Sequence, residues 1–506
     1  MKVTMLPLDN RPVTYLWPQL IAQCAGIEAL MPPRAVFGSL DGIADIEVIS
    51  SWLTQRFADL NTDYHLLCLD TALYGGLIPA RRSADTQAQI EQRLHHLLGK
   101  PDPSAKKERF GGRVKGDVFV QSSIMRVSDN YDATEEKDYW RRYGREIFAW
   151  SEIMHRLSAN EGIANGQLEQ YEAKIPIEIR NDYLQTRRRN FAISRQLVEL
   201  VPYQKIQRLV LSQDDSGTYG LNVLEKERLS KLAQSLKVQE QVTCYAGADE
   251  VLETLLANAL VQYGIRRGER RPKCVVRYSS PNGANQNSRY EGQKISDSVE
   301  NQIRACGVSL VQENNEAGDV DFIVVVHTSE NVQGDHIVLP GAPDLSQVPS
   351  RQAAAQALQT IESSDKPVVI CDVAYTNGAD PQLVEPLLMR KDLVAKLWGY
   401  AGWNTAGNTI GSSLAMAVSR WFSSINDGVP SGKNPHTQAL FTRLLDDWAY
   451  QANVRAKLAG KPDVDLLNEL MKPHVKTVAE ALDWRPDNLQ FTFPWNRTFE
   501  VEIVLS

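Results

Sequence analysis

The chain has 506 residues, 43% of them hydrophobic and 23% charged, with a formal net charge of −7 spread along its length. That length exceeds one ordinary domain and predicts two or three, each with apolar residues enough for a core. The even charge forms no Lys/Arg patch of the kind that binds nucleic acid, and no run of about 18 apolar residues predicts a membrane-spanning helix.

In chain order, KVTMLPLDNRP reads as a strand ending at Asp9, Asn10, Arg11 and Pro12. Its apolar run is broken by Pro7 and Asp9, unlike the core of a secretory signal. A helix near residues 16–24, the short run EALMPP, the helical stretch IADIEVISSWLTQRFADL and the run HLLCLDTALYGGLIPARR follow. This is βαβαβ, with Asp70 closing the third strand and Gly75-Gly76 permitting a tight turn. A Lys-, Pro- and Gly-rich loop at 99–116 precedes another strand, DVFVQSSIMR.

From about 134 to 202 the β pattern stops, and WRRYGREIFAWSEIMHRL and RNDYLQTRRRNFAISRQLVELV carry apolar residues at helical spacing. This helical insertion fits either a lid over a site or a contact between copies, so a homo-oligomer stays open. Its basic group Arg187, Arg188, Arg189 is expected on a solvated face.

Two apolar runs then end in carboxylates: LVLSQDDSGTYG at Asp214 and Asp215, and VTCYAGADEV at Asp249 and Glu250, with the helical LNVLEKERLSKLAQSL between them. Acids at the carboxyl ends of successive parallel strands face the edge where open α/β sheets bind ligands. The polar GIRRGERRPK breaks the pattern. Beyond it CVVRYSSPNG, VSLVQE, DFIVVVHTSENVQGD, PVVICDVAYTNGAD and LVAKLWGYAGWN supply five strands in βα order. The tail is helical to about residue 482 and ends in the alternating FEVEIVL, beside which PWNRTFE groups Trp495, Asn496, Arg497 and Glu500.

The expected fold is α/β, with two doubly wound parallel-sheet domains facing a cleft. A Rossmann-like domain covers 1–264 with its insertion at about 134–202, a flavodoxin-like domain covers 273–430, and a helical tail with a C-terminal strand covers 431–506. A (β/α)8 barrel is the alternative, reached by dropping EALMPP and VSLVQE. Two domains are preferred because those runs fall where second strands belong. The halves also echo each other, LLCLDTALYGG with FIVVVHTSENVQG, LVLSQDDSGTYG with VVICDVAYTNG, and TCYAGADE with WGYAGWNT, as a duplication would leave.

Of six cysteines, Cys68, Cys244, Cys274 and Cys371 lie in β-type runs and none forms a CxxC pair, so buried thiols in the cytoplasm are expected. Eight histidines include no HxH or HExxH, and no metal centre is expected. Neither GxGxxG after the first strand nor GxxxxGK[ST] occurs, so no cofactor is expected, and GxSxG is missing too.

Glycoside cleavage needs one carboxyl kept protonated and one ionised. Asp214, Asp215, Asp249 and Glu250 are the candidate catalytic residues. Asp9, Asn10, Arg11, Asp70, Tyr74, Trp403, Asn404, Asn496 and Arg497 are the candidate substrate-binding residues: Tyr74 and Trp403, with Trp495, for stacking on a sugar ring, and Asn10, Arg11, Asn404, Asn496 and Arg497 for hydroxyl, carboxylate or phosphate groups. Plainer roles compete: Asp249 suits a helix N-cap and Asp215-Ser-Gly an Asx turn.

The combination PLDNRP, LDTALYGGLIPARR, SQDDSGTYG, GADE and PWNRTFE resembles, over nearly the whole chain, a bacterial family known as domain of unknown function number 4127. The resemblance implies no activity, but it implies that these strings belong to one site. GADEV is similar to the GGDEV string of β-N-acetylhexosaminidases, whose Asp orients the substrate acetamido group and whose Glu is the general acid. That similarity implies those roles for Asp249 and Glu250; Ala248 departs from the second glycine, and those enzymes are barrels.

The expected function is a hydrolase of a glycoside or related sugar derivative, of N-acetylhexosaminidase type, with Glu250 as acid, Asp249 orienting substrate or stabilising positive charge, and Asp214 or Asp215 as base or hydroxyl ligand. Its partner is a small molecule, with no nucleic acid and no membrane. The alternatives are a Mg-dependent phosphoryl hydrolase, suggested by LLCLDTAL although Ala72 replaces the second Asp, and a non-catalytic sugar-binding protein.

Overall fold

The computed structural model describes residues 1–506 except 101–114, 163–165, 313–319, 338–347, 427–433 and 506. The expected boundary at 430/431, most of the loop at 99–116 and the last residue of VSLVQE lie outside the described residues. The chain forms two compact units. Met1–Asn10, Ala29–Leu252 and Tyr290–Gly292 make the first, and Arg11–Glu28, Glu253–Arg289 and Gln293–Ser506 make the second.

In the first sheet β1 (Lys2–Leu6), β2 (Glu28–Leu30), β3 (Tyr64–Cys68), β4 (Asp117–Ile124), β5 (Arg208–Gln213) and β6 (Val242–Ala246) lie in the order β2-β1-β3-β4-β5-β6. In the second, β7 (Lys273–Tyr278), β8 (Ser309–Leu310), β9 (Phe322–His327), β11 (Val368–Asp372) and β13 (Leu397–Ala401) lie in the order β13-β11-β9-β7-β8. The short β10 (Gly334–Asp335) and β12 (Tyr375–Thr376) pair in parallel beside it, and β14 (Leu489–Thr492) and β15 (Glu502–Leu505) form an antiparallel hairpin.

Counted within its own sheet, each order runs second, first, third, fourth, fifth, which is the flavodoxin-like winding; the first sheet adds a sixth strand. EALMPP and VSLVQE supply β2 and β8, the strands that send each chain back across its first strand. Both sheets are therefore open and parallel, and not the barrel of the alternative reading. The echo between halves holds for one pair of strings only, since β3 and β9 are both third strands. The other two pair β5 with β11 and β6 with β13, each one strand out of step. Parallel strands buried on both faces share the same apolar composition, so short strings match without being equivalent.

β3 and β11 are buried at every position, as continuous apolar runs covered by helices on both faces should be. β4 is also buried throughout, yet its carboxyl half reads Gln121-Ser122-Ser123. Polar side chains inside a central strand need internal partners, and here they mark the edge where the site lies.

The insertion follows β4 as helices Trp140–Ser158, Gln167–Glu172 and Ile177–Leu200, around its own core of Trp140, Ile147, Trp150, Ile175 and Tyr183. Its arginine triplet is not a solvated face. Arg187 is buried and donates to Glu225 (2.6 and 3.0 Å), to Met125 O (2.8 Å) and to Arg126 O (3.2 Å). Arg189, also buried, donates to the carbonyls of Ala80, Ser83 and Asp85; only Arg188 is exposed. A guanidinium has five N–H donors, and burying it is tolerated when carboxylates and carbonyls use them. Among the described residues no helix is long and apolar enough to cross a membrane, and all six cysteines are free thiols.

Candidate functional site

In a doubly wound sheet, ligands bind where the winding reverses, outside the carboxyl ends of the first and third strands. In the first unit that point lies between β1 and β3. Thr71 Oγ1 ties the two strand ends together, 2.7 Å from Pro7 O and 2.6 Å from Leu8 O. Asp70, 1% exposed, accepts from Ser123 N at 2.9 Å. Burial pushes its carboxyl up to about 6, while Ser123 and Arg81 pull the other way. Cys68 Sγ donates to Gln121 Oε1 (2.7 Å), and Gln121 Nε2 reaches Ser212 Oγ (3.2 Å) and Ala248 O (3.1 Å). This relay carries the order of β3 across to the loop after β6. The Cys68 thiol is pushed well up by burial and then by the charges of Asp70, Asp9 and Asp249.

Asp214 and Asp215, just past β5, meet two arginines that the sequence reading did not single out. Arg81, 2% exposed at the end of helix Leu77–Arg82, pairs with Asp214 and lies 3.5 Å from both Glu135 and Glu136. Arg126, two residues past β4, lies 2.8 Å from Glu136, 3.2 Å from Glu135, 3.0 Å from Asp215 and 3.5 Å from Asp214. The last two contacts are made by one nitrogen, so the two aspartate oxygens are no more than about 6.5 Å apart. Burial against protein, and then the charge of Asp214, raise the Asp215 carboxyl to about 7, against the pull of Arg126 and Arg81. The 37% of its side chain open to water moderates that rise and leaves it reachable. Its φ of +41° is the left-handed region, costly for a residue with a Cβ. The turn is clasped by Ser216, which donates to Tyr290 O (2.6 Å) and Glu291 O (2.9 Å).

Glu250 lies differently. It has no exposed surface, and its Oε2 accepts from Ala248 N at 3.0 Å. Its carboxylate is folded over Gly247, where a Cβ would stand 2.1 Å from Oε1. Asp249 is 6% exposed, and Tyr74 is 4% exposed with Arg189 lying 5.4 Å over its ring. Asn10, half-buried, accepts through its carbonyl from Arg34 Nε at 2.8 Å.

The second unit carries its own polar cluster where its winding reverses, between β7 and β9. His327, at the end of β9 and fully buried, bridges Ser279 Oγ (3.0 Å) and Asp380 Oδ2 (2.8 Å). Asp380 also caps helix Pro381–Leu388 through Gln382 N (2.9 Å), and its own N–H donates to Asp372 Oδ2 (2.7 Å). Burial pushes Asp372 up to about 7 against the pull of His327. Asn404 (φ +61°) accepts through its carbonyl from Asn377 N at 2.9 Å. Trp403 is 3% exposed, its ring edge-on to Phe499. Arg11 pairs with Glu500 at 3.2 Å, and Arg11 and Arg497 lie over Trp495 at 5.3 and 4.8 Å; Asn496 is exposed beside it.

Asp9, Asn10, Asp70, Tyr74, Asp214, Asp215, Asp249 and Glu250 thus belong to the first unit, and Arg11, Trp403, Asn404, Asn496 and Arg497 to the second. Among the described residues no three His, Cys, Asp or Glu side chains gather as metal ligands. Arg81, Arg126, His327, Asp372 and Asp380 were missed. His327 and Asp372 each end an apolar strand, as Asp70 does, and Asp380-Pro381 is a capping signal; nothing local marks Arg81 or Arg126. No curated protein and no solved structure matches the chain. The family described as "Protein of unknown function (DUF4127)" matches residues 3–504, and the chain belongs to that family.

Proposed function

We propose that the protein is a hydrolase cleaving a glycoside or related sugar derivative by carboxyl acid–base catalysis, with Asp214 and Asp215 as the catalytic pair. The observation that carries this reading is that two adjacent carboxyls are held in unlike surroundings on one pair of guanidinium groups. Asp215, raised to about 7 and still open to water, is suited to donate a proton to a leaving oxygen. Asp214, against Arg81 and Arg126, is suited to act as the charged partner. A spacing bounded at about 6.5 Å covers the separation used by retaining enzymes and barely reaches that of inverting ones. The proton-donor role expected for Glu250 passes to Asp215, because Glu250 has no exposed surface and caps its own loop. Asp70 and Asp249 are left to orient hydroxyl or acetamido groups.

A panel of chromogenic glycosides and phosphosugars, with and without EDTA, tests this on the wild type, Asp215→Asn and Glu250→Gln. Glycoside turnover should survive EDTA, decline above about pH 7 as Asp215 loses its proton, and collapse in Asp215→Asn. Wild-type turnover by that variant would sink the assignment. Turnover of phosphosugars only with Mg²⁺ would point to phosphoryl transfer, and silence with thermal stabilisation by a sugar to a binding protein.

A further inference from the structure

Two segments of the second unit are π-helical, Pro12–Leu16 and Leu444–Val454, and among the described residues they are the two that take this form. A π-helix is rare and recurs at functional sites, its wider turn aiming side chains where an α-helix would not. Both segments border one cavity of about 300 Å³ within the second unit. Val13 and Leu16 line it from the first segment and Asp446 from the second, while Leu20 of helix Trp17–Cys24 and Ile503 of β15 extend the apolar part of the wall.

Asp446 and Asp447 are neighbours on the longer π-helix with opposite surroundings. Asp447 has no exposed surface; it takes two arms of the Arg443 guanidinium, Nε at 3.2 Å and Nη2, and accepts from Gly402 N at 2.6 Å. Asp446, its side chain 13% exposed, borders the cavity instead. Its contacts are long: Gln451 Nε2 donates to Oδ1 at 3.4 Å, and Arg443 Nη1 lies 3.6 Å from Oδ2, beyond hydrogen-bond reach. An ionised carboxyl can accept roughly four hydrogen bonds, so this one keeps capacity that the fold does not use. Burial raises the Asp446 carboxyl to about 7, Asp447 adding to the rise, against the pull of Arg443, Gln451 and Arg455. A cation beside it would favour the ionised form.

We infer that this cavity binds a small organic amine, its ammonium group hydrogen-bonded to Asp446 and its apolar body against Leu16, Leu20 and Ile503. An ammonium supplies three donors together with the charge that a poorly partnered carboxylate lacks, and Arg443, committed to Asp447, supplies neither. An apolar cavity of roughly 150 Å³ holds benzene, so the larger space here has room for an aryl ring and a short aminoalkyl stem. The site does not depend on the acid–base reading of Asp214 and Asp215.

Titration calorimetry at low salt with phenethylamine, phenethyl alcohol and phenylpropionate tests it. The amine should bind saturably, and the alcohol and the acid at least about tenfold more weakly, the measure of one charge-assisted hydrogen bond. Asp446→Asn should weaken the amine by at least about the same factor. No saturable binding of the amine, an alcohol or acid that binds as tightly, or unchanged amine affinity in a folded Asp446→Asn protein overturns the site. Leu20→Trp leaves the carboxyl pair intact and fills the cavity from a half-buried position. Loss of amine binding in that variant supports the placement, and undiminished binding in the folded variant overturns it.

Discussion

Asp70→Asn should make the protein more stable above about pH 6. Asp70 is 1% exposed, and burial raises its carboxyl from 3.8 to about 6 in the folded state. A folded pKa above the unfolded one means that the proton stabilises the fold: the contribution is full below about pH 4 and is lost as pH rises through about 6. At 1.36 kcal/mol per unit, the ionised carboxylate at pH 7 disfavours folding by about 3 kcal/mol relative to the protonated one. Asparagine has the same shape, carries no charge, and can still accept from Ser123 N through its carbonyl. The pull of Ser123 and Arg81 on the charged form is already contained in the net rise to about 6. The expected gain is therefore about 3 kcal/mol at pH 7–8, shrinking toward zero near pH 4. Urea denaturation of both proteins from pH 4.5 to 8 measures it. Because a chain of two units can unfold in steps, hydrogen exchange of the β3 and β4 amides should accompany the optical signal. A less stable variant at pH 8, or a difference that does not change with pH, would refute the reasoning. A buried carboxylate that works against the fold, at the point where the winding reverses, is what a ligand-binding role would retain. The stabilised variant should therefore bind or turn over its ligand less well.

Asp380→Ala should lower stability by about 2–4 kcal/mol in denaturant titration, since it removes both a helix cap and the charge-assisted bond to His327. In that pair burial works to lower the His327 pKa, but Asp380 and Asp372 raise it, so the histidine's share of stability is present below its unfolded pKa and fades as pH rises through the raised value. Arg187→Gln should cost about 3–5 kcal/mol by stranding Glu225, whereas Arg188→Gln on the exposed side should change stability by less than about 0.5 kcal/mol; equal effects would restore the solvated-face reading. Gly247→Ala should cost more than about 1 kcal/mol in the same assay, because φ there is +141° and the new Cβ would meet Glu250 at 2.1 Å; a neutral effect would show that the loop is not held as described.

The strands were legible because continuous runs such as YHLLC and VVICD are a local signal, and the acids that end them are read in the same glance. Asp70, Asp214 and Asp215 are read that way. Arg126 and Arg81 are not, because they lie 89 positions before Asp215 and 133 before Asp214, and an arginine just past a strand or at a helix end reads as solvated. The same blindness put Arg187 on the surface, since its acceptors, Glu225 and two carbonyls, are 38 to 62 positions away. Glu250 was read as poised for chemistry because spacing cannot show that a side chain turns back over its own glycine.

By itself, then, the sequence determined two open parallel sheets and the acids at their carboxyl edges, because burial on both faces leaves an apolar run with a polar end wherever it occurs. Only the tertiary structure decided which acids share a guanidinium, which are sealed, and which are raised toward neutrality. Those properties depend on charges and exclusion of water a few ångströms away through space, and folding brings such neighbours together from positions that no local pattern connects.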